Sequence, residues 1–211
     1  RADLNRVYST APVMAAPPLT GLAAVAPRLD WRVRNYVTPV KDQGSCGSCW
    51  AFATTATLES TLAMSTSAMV DLSEQALLSC GGSGDCGGGY VDDASNYIRE
   101  QGLPIEECFP YTAANTSCDG AACPNWKTDG TQTITGWHWV ATWAPTVNSI
   151  KAALNSYGPL VTTMDVYTDF YSYRKGIYSQ VSGRYEGGHA VQIVGYDDTK
   201  RYFIVKNSWG T

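Results

Sequence analysis

The sequence is poor in charge. Only 16% of its 211 residues are Asp, Glu, Lys or Arg, against about a quarter in an average globular domain. No run of Lys or Arg occurs, and 15 basic against 19 acidic residues leave a formal charge of −4. That argues against a nucleic-acid-binding face. No apolar stretch reaches the roughly 18 residues that a membrane-spanning helix needs. Histidine is scarce, with His138 and His189 the two in the chain, and a metal centre needs more ligands than that supplies. We therefore expect no metal, no cofactor, no nucleic acid and no membrane. Residues 1–28 hold no cysteine, and they lack a charged segment leading into an unbroken apolar run. They do not read as an intact signal peptide.

What is present suits a core-forming enzyme. The chain is 44% hydrophobic, and its length fits one compact body or two lobes sharing an interface. With 20 glycines and 13 tyrosines, it suits a loop-rich secreted protein better than a helical bundle. Seven cysteines are most simply one free thiol and three disulfides. Three disulfides imply an oxidising compartment. Spacing alone leaves many connectivities open.

Within this chain one stretch gathers chemistry, Gln43-Gly44-Ser45-Cys46-Gly47-Ser48-Cys49-Trp50-Ala51-Phe52. Cys49 opens an apolar, helix-like run. A thiol at a helix N-terminus lies at the positive end of the backbone dipoles, which favours thiolate. Gln43 offers a neutral amide six positions earlier. Cys46 and Cys49 also have the spacing of a redox or metal pair, but a redox pair would leave an odd cysteine among the other five. Far downstream lie Gly188-His189-Ala190 and Asn207-Ser208-Trp209. His138, between Trp137 and Trp139, reads as structural.

Together these three segments resemble the papain-like cysteine peptidases, the papain and cathepsin family. The family pattern Cys-Gly-[Ser/Ala]-Cys-[Trp/Tyr] stands here as Cys46 to Trp50, with the His and Asn expected roughly 130–150 residues on. His189 follows Cys49 by 140 positions and Asn207 by 158, the latter slightly beyond that window. The resemblance covers about residues 29–211. It implies an α+β fold of two lobes, helical on the left and barrel-like on the right, with the active site in the cleft between them. It also implies a cysteine endopeptidase that works through a thioester. Cys49 would be the nucleophile, His189 the general acid and base, Asn207 its orienter and Gln43 an oxyanion donor. Gly88 and Gly89 would pair with an extended substrate. Gly188, Tyr90, Val91, Thr163 and Ala190 would line the substrate side, and Trp209 would cover the His189–Asn207 contact.

The resemblance further implies the disulfides Cys46–Cys86 and Cys80–Cys118, which leaves Cys108–Cys123. Expected partners are peptide or protein substrates, the chain's own propeptide and protein inhibitors. We expect a secreted or lysosome-like location and a monomer. Family members continue past a segment like Trp209-Gly210-Thr211 through strands that complete the right lobe and floor the specificity pocket. Two other readings stay in view: a silent relative that only binds peptides, and a thiol acyl-transferase. The intact catalytic set argues against the first. The second calls for Asp where Asn207 stands.

The organisation follows from punctuation and periodicity. Residues 1–28, with seven Ala and four Pro, read as an extension or propeptide remnant that lies near the cleft and restricts it, or that packs elsewhere. Residues 29–132 read as the helical lobe and 133–211 as the β-rich lobe. The first predicted helix runs from Cys49 to near Ser65. A second follows the N-cap Ser73. A third runs from Val91 to Gln101, with Val91, Ala94 and Ile98 on one face and Gly102 as the stop. Between them lies the glycine-dense loop from Cys80 to Gly89. The segment Asn115-Thr116-Ser117 is a glycosylation sequon. Thr131 to Gly136 has strand composition. Thr146 to Tyr157 reads as an amphipathic helix with Val147, Ile150 and Leu154 on its face. Leu160–Val166, Ala190–Tyr196 and Tyr202–Lys206 are predicted strands, the last two joined as a hairpin.

Overall fold

A computed structural model describes residues 26–128, 130–141 and 144–211. The expectation about where the N-terminal arm docks falls mainly on residues 1–25 and so lies outside the described residues. From Ala26 the chain is tied down. Tyr196 Oη donates to the Ala26 carbonyl at 2.7 Å, and strand β1 (Arg28–Asp30) pairs with a later strand.

Helix α1 (Cys49–Thr66) is the central element. It is buried on nearly all sides at its start, where Cys49, Trp50, Ala51, Phe52 and Ala53 are all in the core. A helix apolar all round belongs inside a protein rather than on it. Helix α2 (Glu74–Cys80) starts where expected, with Ser73 Oγ accepting from Ala76 N at 2.9 Å. The two-residue strands β2 (Gly84–Asp85) and β3 (Gly88–Gly89) form a small antiparallel ladder. Helix α3 (Val91–Glu100) buries Val91, Ala94 and Ile98, and Gly102 follows at φ +75°. These elements close around one core with Leu72, Leu77, Leu103, Phe109 and Trp126.

Helix α4 (Val147–Tyr157) is capped by Thr146, whose hydroxyl accepts from Ser149 N. Its buried face is Ala152, Ala153 and Leu154; Ile150 packs partly buried against the second core, while Val147 in the first turn is 58% exposed. Strands β4 (Leu160–Tyr167), β5 (Tyr185–Asp197) and β6 (Tyr202–Lys206) are antiparallel. The long strand β5 is the spine of the sheet. One edge takes β4 along Tyr185–Ile193 and β1 along Gly195–Asp197; the other edge takes β6. The second core is Leu29, Trp31, Leu154, Ile193 and Tyr196, and Trp31 Nε1 donates to the Leu154 carbonyl at 3.1 Å.

One predicted strand is corrected. Thr131–Gly136 makes a single bridge, Gln132 with Leu103, through two backbone bonds of 2.8 and 2.9 Å. The composition favours extended backbone, but a strand needs a partner along its length, and here Gly102 and Leu103 offer one residue.

Candidate active site

Cys49 stands at the first position of α1, behind Ser48. The chain reaches it through a tight, buried approach. Cys46 is bonded to Cys86, and Gly47 N donates to the Cys86 carbonyl at 2.8 Å. Among the described residues Cys49 is the free thiol; Cys80–Cys118 and Cys108–Cys123 are the other two bridges. Strand β5 brings His189 to the same place. Ala190 N, the next backbone group, donates to Cys49 Sγ at 3.4 Å. His189 Nε2 lies 2.7 Å from Asn207 Oδ1. Asn207 follows directly on β6, so the β5–β6 hairpin presents both residues from one sheet. Since an amide oxygen can only accept, the bond places the proton on Nε2 and leaves Nδ1 as the other, unprotonated nitrogen of the neutral ring. Trp209 lies over His189, ring centroids 4.6 Å apart.

Gln43 comes from the loop before Cys46. Its Oε1 accepts from Ser208 Oγ at 2.6 Å, and its Nε2 donates to the Cys46 carbonyl at 3.0 Å. The amide carries two hydrogens on Nε2, so one is left for a second acceptor. Two residues without a motif of their own complete the frame. Ser208 N donates to Asn207 Oδ1 at 2.8 Å while its hydroxyl holds Gln43. Tyr111 Oη donates to the Gln43 carbonyl at 2.8 Å and lies 2.6 Å from Ser48 Oγ. Neither was legible in the sequence, since the bond from Ser208 to Gln43 crosses 165 residues and that from Tyr111 crosses 68.

Burial governs the electrostatics. Cys49 is 1% and His189 1% exposed. Desolvation pushes the thiol up to about 11, against the opposing pull of backbone N–H groups of Ala190, Trp50 and Cys49 itself. Desolvation likewise pushes His189 down to about 4, with the Asn207 bond opposing it. The helix-terminus argument for a thiolate is therefore outweighed when the group is taken alone. A charge on either group needs the opposite charge on the other.

The substrate-side residues fall as follows. Thr163 and Ala190 are opposite one another across β4 and β5. Val91 and Ala190 share the first core. Gly89 lies against Trp50, so closely that a Cβ there would meet the indole at 2.5 Å. Gly88 has φ +126° and Gly188 is buried in β5. Tyr90 is half-buried and caps α3, its N–H on the Ser83 carbonyl at 2.9 Å. His138 is exposed.

Comparison with known proteins agrees with this architecture. The family described as "Papain family cysteine protease" matches residues 25–211, and the chain belongs to that family. Its fold is the α+β, two-lobe papain fold. A cathepsin L-like proteinase of Fasciola hepatica is 39% identical over 89% of this chain and 57% of its own length. Digestive cysteine proteinase 1 of Homarus americanus is 37% identical over 91% of this chain and 60% of its own length. The chain thus spans under two thirds of these relatives. The solved structure of digestive procathepsin L 3 from Tenebrio molitor larval midgut superposes with a TM-score of 0.81 at 33% identity, covering 98% of this chain and 67% of that one.

Proposed function

We propose that this protein is a cysteine endopeptidase, with Cys49 as nucleophile, His189 as general acid and base, Asn207 as orienter and Gln43 as oxyanion donor. One observation carries the reading: a buried free thiol at the head of α1 meets the strand of a histidine whose other nitrogen is held by Asn207 at 2.7 Å.

In this mechanism His189 Nδ1 takes the thiol proton, and the two charges form together. Cys49 Sγ bonds to the scissile carbonyl carbon. The resulting oxyanion takes the spare Gln43 Nε2 hydrogen and the Cys49 backbone N–H. The C–N bond then breaks, and His189 returns its proton to the leaving amine. Water attacks the thioester, His189 receives the water proton, and the C–S bond breaks to release the acid and restore the thiol. Trp209 shields the His189–Asn207 bond from water. Gly88 and Gly89, with Gly188, Tyr90, Val91, Thr163 and Ala190, would form the substrate wall, β3 using the edge not paired with β2.

We assign residues 29–132 to the helical lobe and 133–211 to the β-rich lobe, with β1 crossing to the second. Substrates would be peptides or proteins. The chain's own propeptide and protein inhibitors would share the cleft. A monomer in a secreted or lysosome-like compartment fits the disulfides. An epoxysuccinyl peptide tests the assignment. One equivalent should abolish peptide hydrolysis, and mass mapping should place the adduct on Cys49. An adduct elsewhere, or full hydrolysis after labelling, would overturn it.

A further inference from the structure

Three residues after His189, β5 carries a glutamine where its neighbours in the strand, Val191, Ile193 and Val194, are apolar. Gln192 is 1% exposed. Its Nε2 donates to the Ala56 carbonyl at 2.9 Å and to Ser60 Oγ at 2.9 Å. Both partners lie on α1, and both are buried. Gln192 is also opposite Lys206 across β5 and β6, the residue before Asn207. One side chain therefore touches the helix that begins at Cys49, sits in the strand that carries His189 and faces the strand that delivers Asn207.

The arrangement is costly in isolation. Gln192 Oε1 is buried and has no partner among the described residues, and an unmet buried acceptor costs about 1–3 kcal/mol. A valine or leucine would avoid that cost and still fill the seam. The two Nε2 bonds must offset it, and only the nitrogen can bond the Ala56 carbonyl, so the amide's orientation is fixed. A cavity of about 10 Å³ adjoins it, lined also by Lys206, Asn207 and Ser208, so the seam is not otherwise tightly filled at this point. A second polar link lies nearby. Lys206 Nζ donates to Thr38 Oγ1 at 2.7 Å, and that hydroxyl donates to Glu59 of α1. That link runs through Thr38, whereas Gln192 Nε2 bonds two groups of α1 directly.

We propose that Gln192 is a positioning residue, a latch that fastens β5 to the middle of α1 and so sets the distance between the Cys49 thiol and the His189 imidazole. The inference rests on the peptidase reading, because it assumes that Cys49 and His189 act as a pair. The latch works at a lever arm. Cys49 and Ala56 are seven residues apart, about 10 Å along the helix, and His189 and Gln192 are three apart, about 10 Å along the strand. Two equal arms joined at Gln192 keep the reacting ends in register.

The test compares wild type, Gln192→Leu and Ser60→Ala by three readouts. These are the melting temperature, the kcat and KM for a peptide, and the pH profile of Cys49 alkylation by iodoacetamide. Alkylation needs neither peptide binding nor turnover. It therefore reports on the thiol–imidazole pair even if no peptide is cleaved, which separates failure of this inference from failure of the peptidase reading. Gln192→Leu should lower kcat about tenfold with KM little changed, and should move the acid limb of the alkylation profile. Ser60→Ala, which loses one of the two bonds, should move both in the same direction by less. If Gln192→Leu does not fold, Ser60→Ala decides alone. An unchanged kcat and an unchanged alkylation profile in a folded variant would overturn the latch, whatever happens to the melting temperature.

Discussion

His189 is held neutral by burial, and the consequence reaches beyond catalysis. Its folded-state pKa, near 4, lies below the ordinary value of 6.5. The unfolded chain therefore binds a proton that the folded chain refuses, and stability is full above 6.5 and lost as pH falls toward 4. The loss amounts to about 3 kcal/mol from this residue. Urea unfolding at pH 7 and pH 4, in a Cys49→Ala background to prevent self-digestion, should show it, and His189→Gln should flatten that limb. An equal slope in both would contradict the account. Burial holds the Glu74 and Glu106 carboxyls above their ordinary values, which moves stability the other way over the same window, so the readout is the difference between the two pH profiles and not either slope alone.

Gln43 tests the other half of the chemistry. The oxyanion exists only near the transition state, so Gln43→Ala should cut kcat by about 100–1000-fold and change KM much less. A change confined to KM would argue that Gln43 merely binds substrate. The roles proposed for Gln43, Cys49, His189 and Asn207 come from the family resemblance of the segments that carry them. Ser208 and Tyr111 gain no role from it. Their roles arise from bonds to Gln43 and Ser48 that only the fold creates.

At the scale of elements, α1 is joined to its surroundings by buried charge. Lys41 Nζ lies 3.0 Å from Glu59 and 2.8 Å from Glu74, whose side chains are 0% and 2% exposed. It also reaches the exposed Asp71 at 2.6 Å. Burial raises the Glu74 pKa, while Lys41 works against that shift. Lys41→Met would strand the buried Glu59 and Glu74 carboxylates and should cost about 3–5 kcal/mol at pH 9, where both are ionised. The cost should shrink as pH falls through about 8 and Glu74 takes up a proton. Denaturant midpoints at pH 9 and pH 6 check both statements; a loss under about 1 kcal/mol at pH 9 would show the cluster to be solvated.

The elements themselves were read well where periodicity or capping spoke. Ser73 announced one helix as its cap, the periodicity of Thr146–Tyr157 announced another, and the polar break between Tyr196 and Tyr202 announced the β5–β6 hairpin. Thr131–Gly136 misled because strand composition says nothing of a partner. The face of α4 was partly misread because Val147 has the right spacing but is exposed in the first turn. Gln192 was passed over inside an apolar strand, where a lone polar residue gives no periodic signal.

In the whole molecule, β5 contributes to both cores, Ala190 to the first and Ile193 and Tyr196 to the second. The change from helix-forming to strand-forming sequence near residue 130 is the basis for the proposed lobe boundary. It did not reveal that Leu29 and Trp31, from the start of the described chain, join the second core. Such a long-range strand addition depends on the exposed edge of β5 at Gly195–Asp197, and nothing local to Leu29 encodes it. Helix α1 and strand β5 meet at the first core, where Ala190 N reaches the Cys49 thiol beside His189, and the proposed chemistry depends on that thiol. The most direct test of that claim is hydrolysis of a fluorogenic peptide by wild type and by Cys49→Ala, both checked as folded by circular dichroism. The account predicts turnover in the wild type and only background hydrolysis in the variant. Turnover near the wild-type rate in Cys49→Ala would contradict it.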